Sequence, residues 1–134
     1  MIKIRIRRRK KVRGAVVVIL NPNNEVLLLK RSPGDYWCAG KWGYPGGKLD
    51  DGETAEAAAV RETKEEANLD VTDLVPITLE LSRVLGMYYT RSYAGDVKID
   101  FEHTAWRWVP RSEIENYDLS DDTLEIYDWV LENE

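Results

Sequence analysis

Three glutamates occur within five residues of the segment RETKEEANLD: Glu62, Glu65 and Glu66. On an α-helix with about 100° per residue, Glu65 and Glu66 lie within about 60° of Glu62, so the three carboxylates share one face. Like charges at this spacing repel each other by roughly a few tenths of a kcal/mol per pair. Two interpretations compete: an ordinary solvated helix face, or a group of carboxylates that holds a cation.

The same helix face carries the smallest side chains. Ala55, Ala58 and Ala59 lie within about 60° of the same direction, so another element can approach this face closely. A solvated face would more often intermix Lys and Glu for pairing four residues apart. Oxygen ligands without a neighbouring His or Cys are typical of Mg²⁺ or Mn²⁺ sites rather than zinc sites. The pattern favours a hard-cation site, although an acidic cluster alone is weak evidence for one.

The segment that carries these side chains is predicted to be a helix. Residues 54–67, TAEAAAVRETKEEA, are rich in helix-forming residues, and Thr54 is suited to cap the first turn. A second, amphipathic helix is predicted after Ser120. Its apolar stripe would consist of Leu124, Tyr127, Val130 and Leu131.

Apolar runs predict strands on both sides of the first helix. Residues 14–20 (GAVVVIL) and 25–30 (EVLLLK) flank the turn-forming NPNN and are predicted to pair as a hairpin. Residues 31–47 form a loop rich in glycine, proline and aromatic residues, and a loop of this length is usually functional. Three or so further strands are expected within residues 71–85, 86–93 and 97–109, with Pro110 closing the last.

The composition of the 134 residues is globular, with 43% hydrophobic and 32% charged residues. A chain of this length forms about one domain, and we expect residues 1–134 to be a single one. No apolar run approaches the roughly 18 residues of a membrane-spanning helix. The N-terminus lacks the apolar region of a signal peptide, and Cys38 has no partner for an internal disulfide. These features predict a cytoplasmic protein without membrane association.

Charge is distributed unevenly along the chain. The first 13 residues carry eight Lys or Arg and no acid, so the remaining 121 residues have a net charge of −13. A basic arm can bind nucleic acid, and Arg7 to Lys11 make RNA a candidate partner. Alternation of Ile2, Ile4 and Ile6 with basic residues is instead typical of an edge strand with a solvated basic face, which is the favoured interpretation of residues 1–13.

The residues around the three glutamates resemble the sequence signature of the Nudix hydrolase family, G-x5-E-x7-R-E-U-x-E-E-x-G-U, in which U is aliphatic. The matching residues are Gly47, Glu53, Arg61, Glu62, Glu65, Glu66 and Leu69. Thr63 stands at an aliphatic position, where its methyl group can still face a core. Asn68 replaces the last glycine, and Asn is the residue that next best tolerates a left-handed helix end.

This resemblance implies a fold of the α/β (α+β) class. The family fold is an α/β/α sandwich, with a mixed, largely antiparallel sheet flanked by helices. Residues 47–69 would form its loop–helix motif. The order of the predicted strands and helices fits that fold over nearly all of the chain.

The resemblance also implies which residues bind metal. Gly46 would offer its carbonyl oxygen, and Glu62, Glu65 and Glu66 their carboxylates, to Mg²⁺, with Mn²⁺ as the other candidate. The same three glutamates are the catalytic candidates, and either Glu65 or Glu66 would act as general base. The choice between Glu65 and Glu66 as the general base stays open, because family members differ in this residue.

Two further roles follow from the resemblance. Glu53 would pair with Arg61 and hold the loop onto the helix. A further acid from a later strand often completes the family's site, and Glu102 is the predicted residue, with Asp100 and Asp96 behind it. A plain surface acid is the alternative for Glu102.

Cationic side chains near the loop are candidate phosphate-binding residues. Arg31 ends the second strand and Lys48 follows the glycines, while Arg83 and Arg91 are weaker candidates. The alternative for each is a surface salt bridge worth at most about 1 kcal/mol.

Aromatic residues in the loop could contact a base. Tyr36, Trp37 and Tyr44 would stack on it, although aromatic residues in such a loop more often pack beneath it, and Trp42 is expected to be structural. His103 is expected to be a hydrogen-bonded structural residue and Cys38 a small loop thiol.

The family cleaves a nucleoside diphosphate linked to another group, X, by attack of water on phosphorus. One His and one Cys leave no catalytic triad or thiol dyad to consider. The resemblance implies Mg²⁺-dependent hydrolysis of the pyrophosphate bond in a dNTP, nucleotide sugar, ADP-ribose or dinucleotide polyphosphate. The alternative is a non-catalytic nucleotide-sensing or RNA-binding module on the same scaffold, and the resemblance also suggests a homodimer.

Overall fold

A computed structural model describes residues 11–34, 38–81 and 84–134. Its helices are α1 (Ala55–Ala67) and α2 (Thr123–Asn133), with a 3₁₀ turn at Ile114–Asn116. Its strands are β1 (Gly14–Ile19), β2 (Val26–Arg31), β3 (Trp42–Gly43), β4 (Gly46–Lys48), β5 (Asp70–Thr72), β6 (Val75–Pro76), β7 (Leu85–Thr90), β8 (Ser92–Ala94) and β9 (His103–Val109).

The strands form two main sheets and one small one. The first sheet has the order β4-β1-β7-β6, the second β3-β2-β9, and β5 pairs with β8. Only β1 and β7 run parallel among the pairings of the described strands; the others are antiparallel. The predicted mixed, largely antiparallel arrangement is confirmed.

Alternation along β1 divides the core between the two helices. Val18 belongs to the cluster that contains Ile126, Tyr127 and Val130 of α2, and Val16 packs against the same cluster. The intervening side chains, Ala15, Val17 and Ile19, belong to the cluster that contains Ala58, Ala59 and Ala67 of α1. Both faces of β1 are buried, which explains why apolar residues occupy consecutive positions along this strand and do not alternate with polar ones. The sheets lie between two helices, which confirms the predicted sandwich.

The predicted hairpin of the first two strands is wrong. The turn itself forms, because the Asn21 Oδ1 atom accepts a hydrogen bond from the Glu25 N–H at 3.0 Å. Beyond one bridge between Leu20 and Val26, however, β1 pairs with β4 and β7, and β2 pairs with β3 and β9. Two strands that are apolar on both faces each take a central place in a separate sheet.

Other predicted boundaries also change. The loop at 31–47 contains the short strands β3 and β4, so it is less irregular than expected. Residues 97–102 are not a strand, because the Lys98 N–H donates to the Ala67 carbonyl at the end of α1, at 3.0 Å. Leu131 is not on the buried stripe of α2; its side chain is exposed, and Ile126 occupies that stripe instead.

The first ten residues of the basic segment, and with them most of the predicted strand or arm at 1–13, lie outside the described residues. Neither helix in the described parts of the chain is long and apolar enough to cross a membrane.

Candidate active site

The ends of α1 are fixed by two residues that the sequence analysis identified, Thr54 and Asn68. The Thr54 Oγ1 atom accepts a hydrogen bond from the Ala57 N–H at 3.1 Å, which satisfies a free donor of the first turn. Asn68 adopts the left-handed conformation with φ of 61°, and its N–H donates to the Lys64 carbonyl. Both expectations are confirmed. Thr63 is fully buried, and its hydroxyl donates to the Ala59 carbonyl at 2.7 Å.

Arg61 connects α1 to the loop that precedes it. Its Nε and Nη2 atoms each donate to the Glu53 carboxylate at 2.8 Å, so the expected ion pair is present and bidentate. Nη2 also donates to the Lys48 carbonyl at 3.1 Å. The hydrogen bonds from Arg61 and from the Asp50 N–H lower the pKa of Glu53 to about 2. Residues 48–53 are thereby held against the helix.

Glu66 is the buried carboxylate of the cluster. Glu66 as a residue is only 3% exposed, and its Oε2 atom accepts a hydrogen bond from the Gly46 N–H at 3.0 Å. Burial raises the pKa of Glu66 to about 9, and the negative charges of Glu62 and Asp100 act in the same direction. The Gly46 hydrogen bond and the charge of Arg31 oppose that change. Neutralisation of this carboxylate is therefore favourable.

Glu62 and Glu65 are held by the remaining guanidinium nitrogen of Arg61. The Nη1 atom lies 3.0 Å from Glu62 Oε1 and 3.2 Å from Glu65 Oε2. Glu62 approaches the backbone of Gly47 so closely that a Cβ atom there would lie 2.6 Å from its carboxylate carbon. Glu65 points outward, with 56% of its side chain exposed. The three carboxylates thus share a helix face but differ in burial.

A cavity of about 650 Å³ opens beside α1, within the usual range of ligand pockets. One side, which we call the carboxylate wall, consists of Gly46, Gly47, Lys48, Glu62 and Glu66. A second set of lining residues, the distal wall, consists of Gly43, Tyr44, Ser120, Thr123 and Ile126. The cavity is also lined by Arg31, Cys38, Lys41, Glu102 and His103.

The distal wall is built where β3 meets the start of α2. The Tyr44 hydroxyl donates to the Thr123 carbonyl at 2.7 Å, and the hydroxyls of Ser120 and Thr123 share a hydrogen bond of 2.9 Å. The Ser120 N–H donates to the Trp42 carbonyl at 2.8 Å. Trp42 itself packs edge-on against Tyr117, 5.1 Å between ring centres, as expected for a structural residue.

The structure brings most of the predicted site residues to this cavity. Gly46, Glu62, Glu66, Glu102, Arg31, Lys48 and Tyr44 all line it. Tyr44 is tied to α2 through its hydroxyl, so its ring is part of the wall rather than a free loop side chain. Tyr36, Trp37 and Arg83 lie outside the described residues.

Three candidates are placed elsewhere. Glu65 does not line the cavity, because Arg61 holds it on the outer side of α1. Arg91 is not at the cavity either; its guanidinium binds the Glu134 carboxylate and the Asn21 carbonyl. Asp96 contributes only its backbone carbonyl, which accepts from the Asn68 side chain at 3.1 Å. The interpretation of Arg91 as a phosphate ligand is therefore wrong.

Other cavity residues were not predicted. Lys41, Ser120, Thr123 and Ile126 lie far along the chain from the motif and carry no spacing signal of their own. The loop composition pointed to the region around Lys41, but nothing in the sequence joined it to the start of α2.

The donor set of the carboxylate wall fits a hard divalent cation in its chemistry, since Glu62 and the buried Glu66 present only oxygens. Across residues 11–34, 38–81 and 84–134, no group of three or more His, Cys, Asp or Glu side chains converges closely enough to hold an ion. The reason is visible in the geometry of Arg61, which draws Glu62 and Glu65 towards its own guanidinium.

Comparison with known proteins agrees with this geometry. The model of the NUDIX domain family matches residues 10–130. The chain belongs to the Nudix family. The 8-oxo-dGTP diphosphatase of Escherichia coli (strain K12) is 45% identical over 60 residues, which are 45% of this chain and 46% of that protein. The 8-oxo-dGTP diphosphatase of Proteus vulgaris is 44% identical over 64 residues, 48% of this chain and 56% of that protein.

The matched segments span only about half the length of these two relatives. Similarity of fold extends further. The superposition on the crystal structure of the MutT protein from Methanosarcina mazei Go1 covers 90% of this chain and 94% of that chain, with a TM-score of 0.74 and 27% sequence identity.

Proposed function

We propose that this Nudix chain hydrolyses the pyrophosphate bond of a nucleoside diphosphate linked to a further group, X. The observation that carries the proposal is Glu66, a carboxylate 3% exposed beside Glu62 on the wall of a ligand-sized cavity. An ionised carboxylate in such surroundings is costly unless a counter-charge accompanies it. The names of the Escherichia coli and Proteus vulgaris relatives support a nucleotide substrate with a pyrophosphate bond.

Glu62, Glu66 and the Gly46 carbonyl would hold Mg²⁺ or Mn²⁺, and Glu102, which also lines the cavity, would complete the site. When bound, such a cation neutralises phosphate oxygens and lowers the pKa of a coordinated water. Glu65 would join only after it leaves Arg61, because one guanidinium nitrogen now bonds both Glu62 and Glu65.

The side chains around the cavity have complementary tasks in this proposal. Of the two candidates for the general base we favour Glu66 over Glu65, since Glu66 lines the cavity whereas Arg61 holds Glu65 outside it. Arg31 and Lys48 would bind phosphate oxygens, and the carboxylate wall would receive the pyrophosphate. The nucleoside would then lie towards the distal wall.

The test is a panel of substrates incubated with and without Mg²⁺: dNTPs including 8-oxo-dGTP, ADP-ribose, nucleotide sugars, dinucleotide polyphosphates and 5′-capped RNA. We expect metal-dependent release of a nucleoside monophosphate from at least one of them. Absence of turnover across the panel by well-folded protein would refute the proposal. Calorimetric binding of a nucleotide without hydrolysis would support the sensing module instead.

RNA and a homodimer remain part of the proposal as expectations. Residues 7–10 of the basic segment lie outside the described residues, and RNA is kept as a substrate because of their charge alone. Deletion of residues 1–11 should weaken turnover of capped RNA and its salt dependence while sparing free nucleotides. Light scattering during gel filtration would measure the oligomeric state.

A further inference from the structure

His103 is a buried side chain on the wall of the cavity. It is the first residue of β9 and pairs with Arg31 of β2. Only 3% of its side chain is exposed, yet it lines the cavity next to Glu102. The hydrolysis proposed above gives this imidazole no task.

Asp100 contacts one nitrogen of the imidazole ring. The His103 Nδ1 atom lies 2.7 Å from Asp100 Oδ1. An ionised carboxylate can only accept hydrogen bonds, so Nδ1 carries the hydrogen of this contact. The same Asp100 oxygen accepts from the Glu102 N–H at 3.2 Å, and the Asp100 N–H donates to the Glu66 carbonyl at 3.3 Å. The ring orientation is therefore set by its neighbours, and Nε2 is the ring nitrogen left available to a ligand.

The Nε2 atom is the second nitrogen of the ring. Within the described part of the chain it has no hydrogen-bond partner. Every buried side-chain nitrogen or oxygen there does have a partner, so Nε2 must belong to the small part of the ring that is exposed. Since His103 lines the cavity, that exposed part opens into it.

We infer that His103 is a substrate-contacting residue whose Nε2 atom accepts a hydrogen bond from an O–H or N–H group of the nucleoside part of the substrate. With the hydrogen on Nδ1, Nε2 accepts. The phosphate oxygens of an ionised chain have no hydrogen to donate, so among the groups of the substrate the donor belongs to the sugar or the base. The inference rests on the proposed function, because it needs a nucleotide in this cavity. It adds a residue that selects the nucleoside rather than one that cleaves the bond.

The chain contains a single histidine, so the nitrogen spectrum of its imidazole reports on one residue. Long-range ¹H–¹⁵N NMR of the tag-free protein should show a neutral ring protonated at Nδ1. Saturation with a nonhydrolysable nucleoside triphosphate analogue and Mg²⁺ should move the Nε2 resonance upfield and leave Nδ1 protonated. Methylenediphosphonate with Mg²⁺, which lacks a nucleoside, should leave Nε2 unchanged. Amide shifts of Gly46 and Gly47 monitor occupancy by either ligand.

Two variants complement the spectra. His103→Phe, and independently His103→Gln, should bind the analogue about fivefold more weakly, as expected for one lost hydrogen bond, and methylenediphosphonate equally well. The matched control is Thr104→Ala, an exposed position next along β9 that does not line the cavity. Thermal unfolding identifies any variant that fails to fold, and the spectra of the unmodified chain do not depend on that outcome.

The outcomes separate this inference from the proposed function. An unchanged Nε2 resonance at saturating analogue would overturn the role of His103 while leaving hydrolysis intact. An equal response to methylenediphosphonate would also overturn it, because the ring would then contact phosphate. If neither ligand bound, the proposed function would fail and the inference with it.

Discussion

The two walls of the cavity are built in different ways. The carboxylate wall depends on contacts within residues 46–68: the Thr54 cap, the Glu53–Arg61 pair and the bond from the Gly46 N–H to Glu66. The distal wall depends on Tyr44 and Thr123, which lie 79 residues apart and meet through one hydroxyl. The first wall is a local motif, and the second is a product of the whole fold.

Because the two walls are built differently, the residues that would carry out the reaction are separate from those that would select the substrate. The carboxylate-wall residues that would hold metal and pyrophosphate are fixed by short-range hydrogen bonds, so their geometry is largely independent of the rest of the chain. The distal-wall residues that would contact the nucleoside lie at or next to β3 and the start of α2, whose relative position depends on the core between them. Changes to the carboxylate wall should therefore lower turnover of every substrate, and changes to the distal wall should alter the preference among substrates.

The largest effect is expected for Glu66→Gln. Loss of the buried carboxylate should lower kcat by about a thousandfold on all substrates, as for removal of a catalytic base. The variant should melt no earlier than the parent in metal-free buffer, because the amide is uncharged at every pH and burial disfavours the charged form of Glu66. Steady-state kinetics and thermal unfolding measure the two effects.

The control for that substitution is Glu56→Gln, an exposed acid in the first turn of the same helix. It should retain turnover within about twofold of the parent and lose only a few tenths of a kcal/mol of helix stabilisation. Equal activity of the Glu66 and Glu56 variants would place the catalytic carboxylate outside this wall.

Arg61→Gln should have the next largest effect. It removes the bidentate contact to Glu53 and the contact to Glu62, so we expect a loss of about 10- to 100-fold in kcat/KM and a higher Mg²⁺ concentration for half-maximal activity. Lys64→Gln is the matched control, since Lys64 pairs with Asp70 on the exposed side of the helix. Similar kinetics for both variants would mean that Arg61 is only a surface cation.

Much of the carboxylate wall could be predicted from the sequence, because its determinants are close together in the chain. Cap preference, the left-handed tolerance of Asn68 and the angular spacing of the glutamates are local properties. The outward position of Glu65 could not be predicted, because it depends on which carboxylates Arg61 reaches. The family resemblance supplied the metal hypothesis, and spacing alone left a solvated helix open.

The choice of strand partners could not be predicted. Local patterning correctly identified β1 and β2 as buried strands, but burial on both faces does not say which neighbour supplies the hydrogen bonds. The parallel pairing of β1 with β7 brings together residues about 70 positions apart, and no turn signal encodes it. The distal wall escapes sequence analysis for the same reason.

Stability should depend on pH through the carboxylate wall. Because the folded protein raises the pKa of Glu66 to about 9, the folded state binds a proton that the unfolded state releases above its ordinary pKa of about 4.3. In metal-free buffer the free energy of unfolding should therefore fall by up to about 1.4 kcal/mol per pH unit as the pH rises through this window.

Urea unfolding in EDTA at pH 6 and pH 8 measures this contribution as a difference between parent and variant. The loss of about 2–3 kcal/mol between these pH values should be absent in Glu66→Gln. A distal-wall variant, Tyr44→Phe, should keep the full pH dependence while losing about 1 kcal/mol at both values, since it removes one hydrogen bond to Thr123. An identical pH response in Glu66→Gln and the parent would show that Glu66 does not titrate in the folded protein.

The smallest effects provide the most direct comparison of the walls, because each wall contains a glycine against which a side chain is packed. A Cβ atom at Gly47 would lie 2.6 Å from the Glu62 carboxylate carbon, and one at Gly43 would lie 2.6 Å from Ser120 Oγ. Both substitutions add the same methyl group and displace the end of a short polar side chain. Gly47→Ala should reduce kcat about tenfold on every substrate, as misplacement of a reacting group does.

Gly43→Ala should change kcat less than threefold yet shift the ratio of kcat/KM between purine and pyrimidine nucleotides severalfold, since one displaced pocket contact is worth about 1 kcal/mol. Competition between two nucleotides in one reaction measures that ratio without an error from enzyme concentration. A uniform loss in Gly43→Ala would mean that the distal wall positions the reacting phosphate as well, and that the two walls act as one unit.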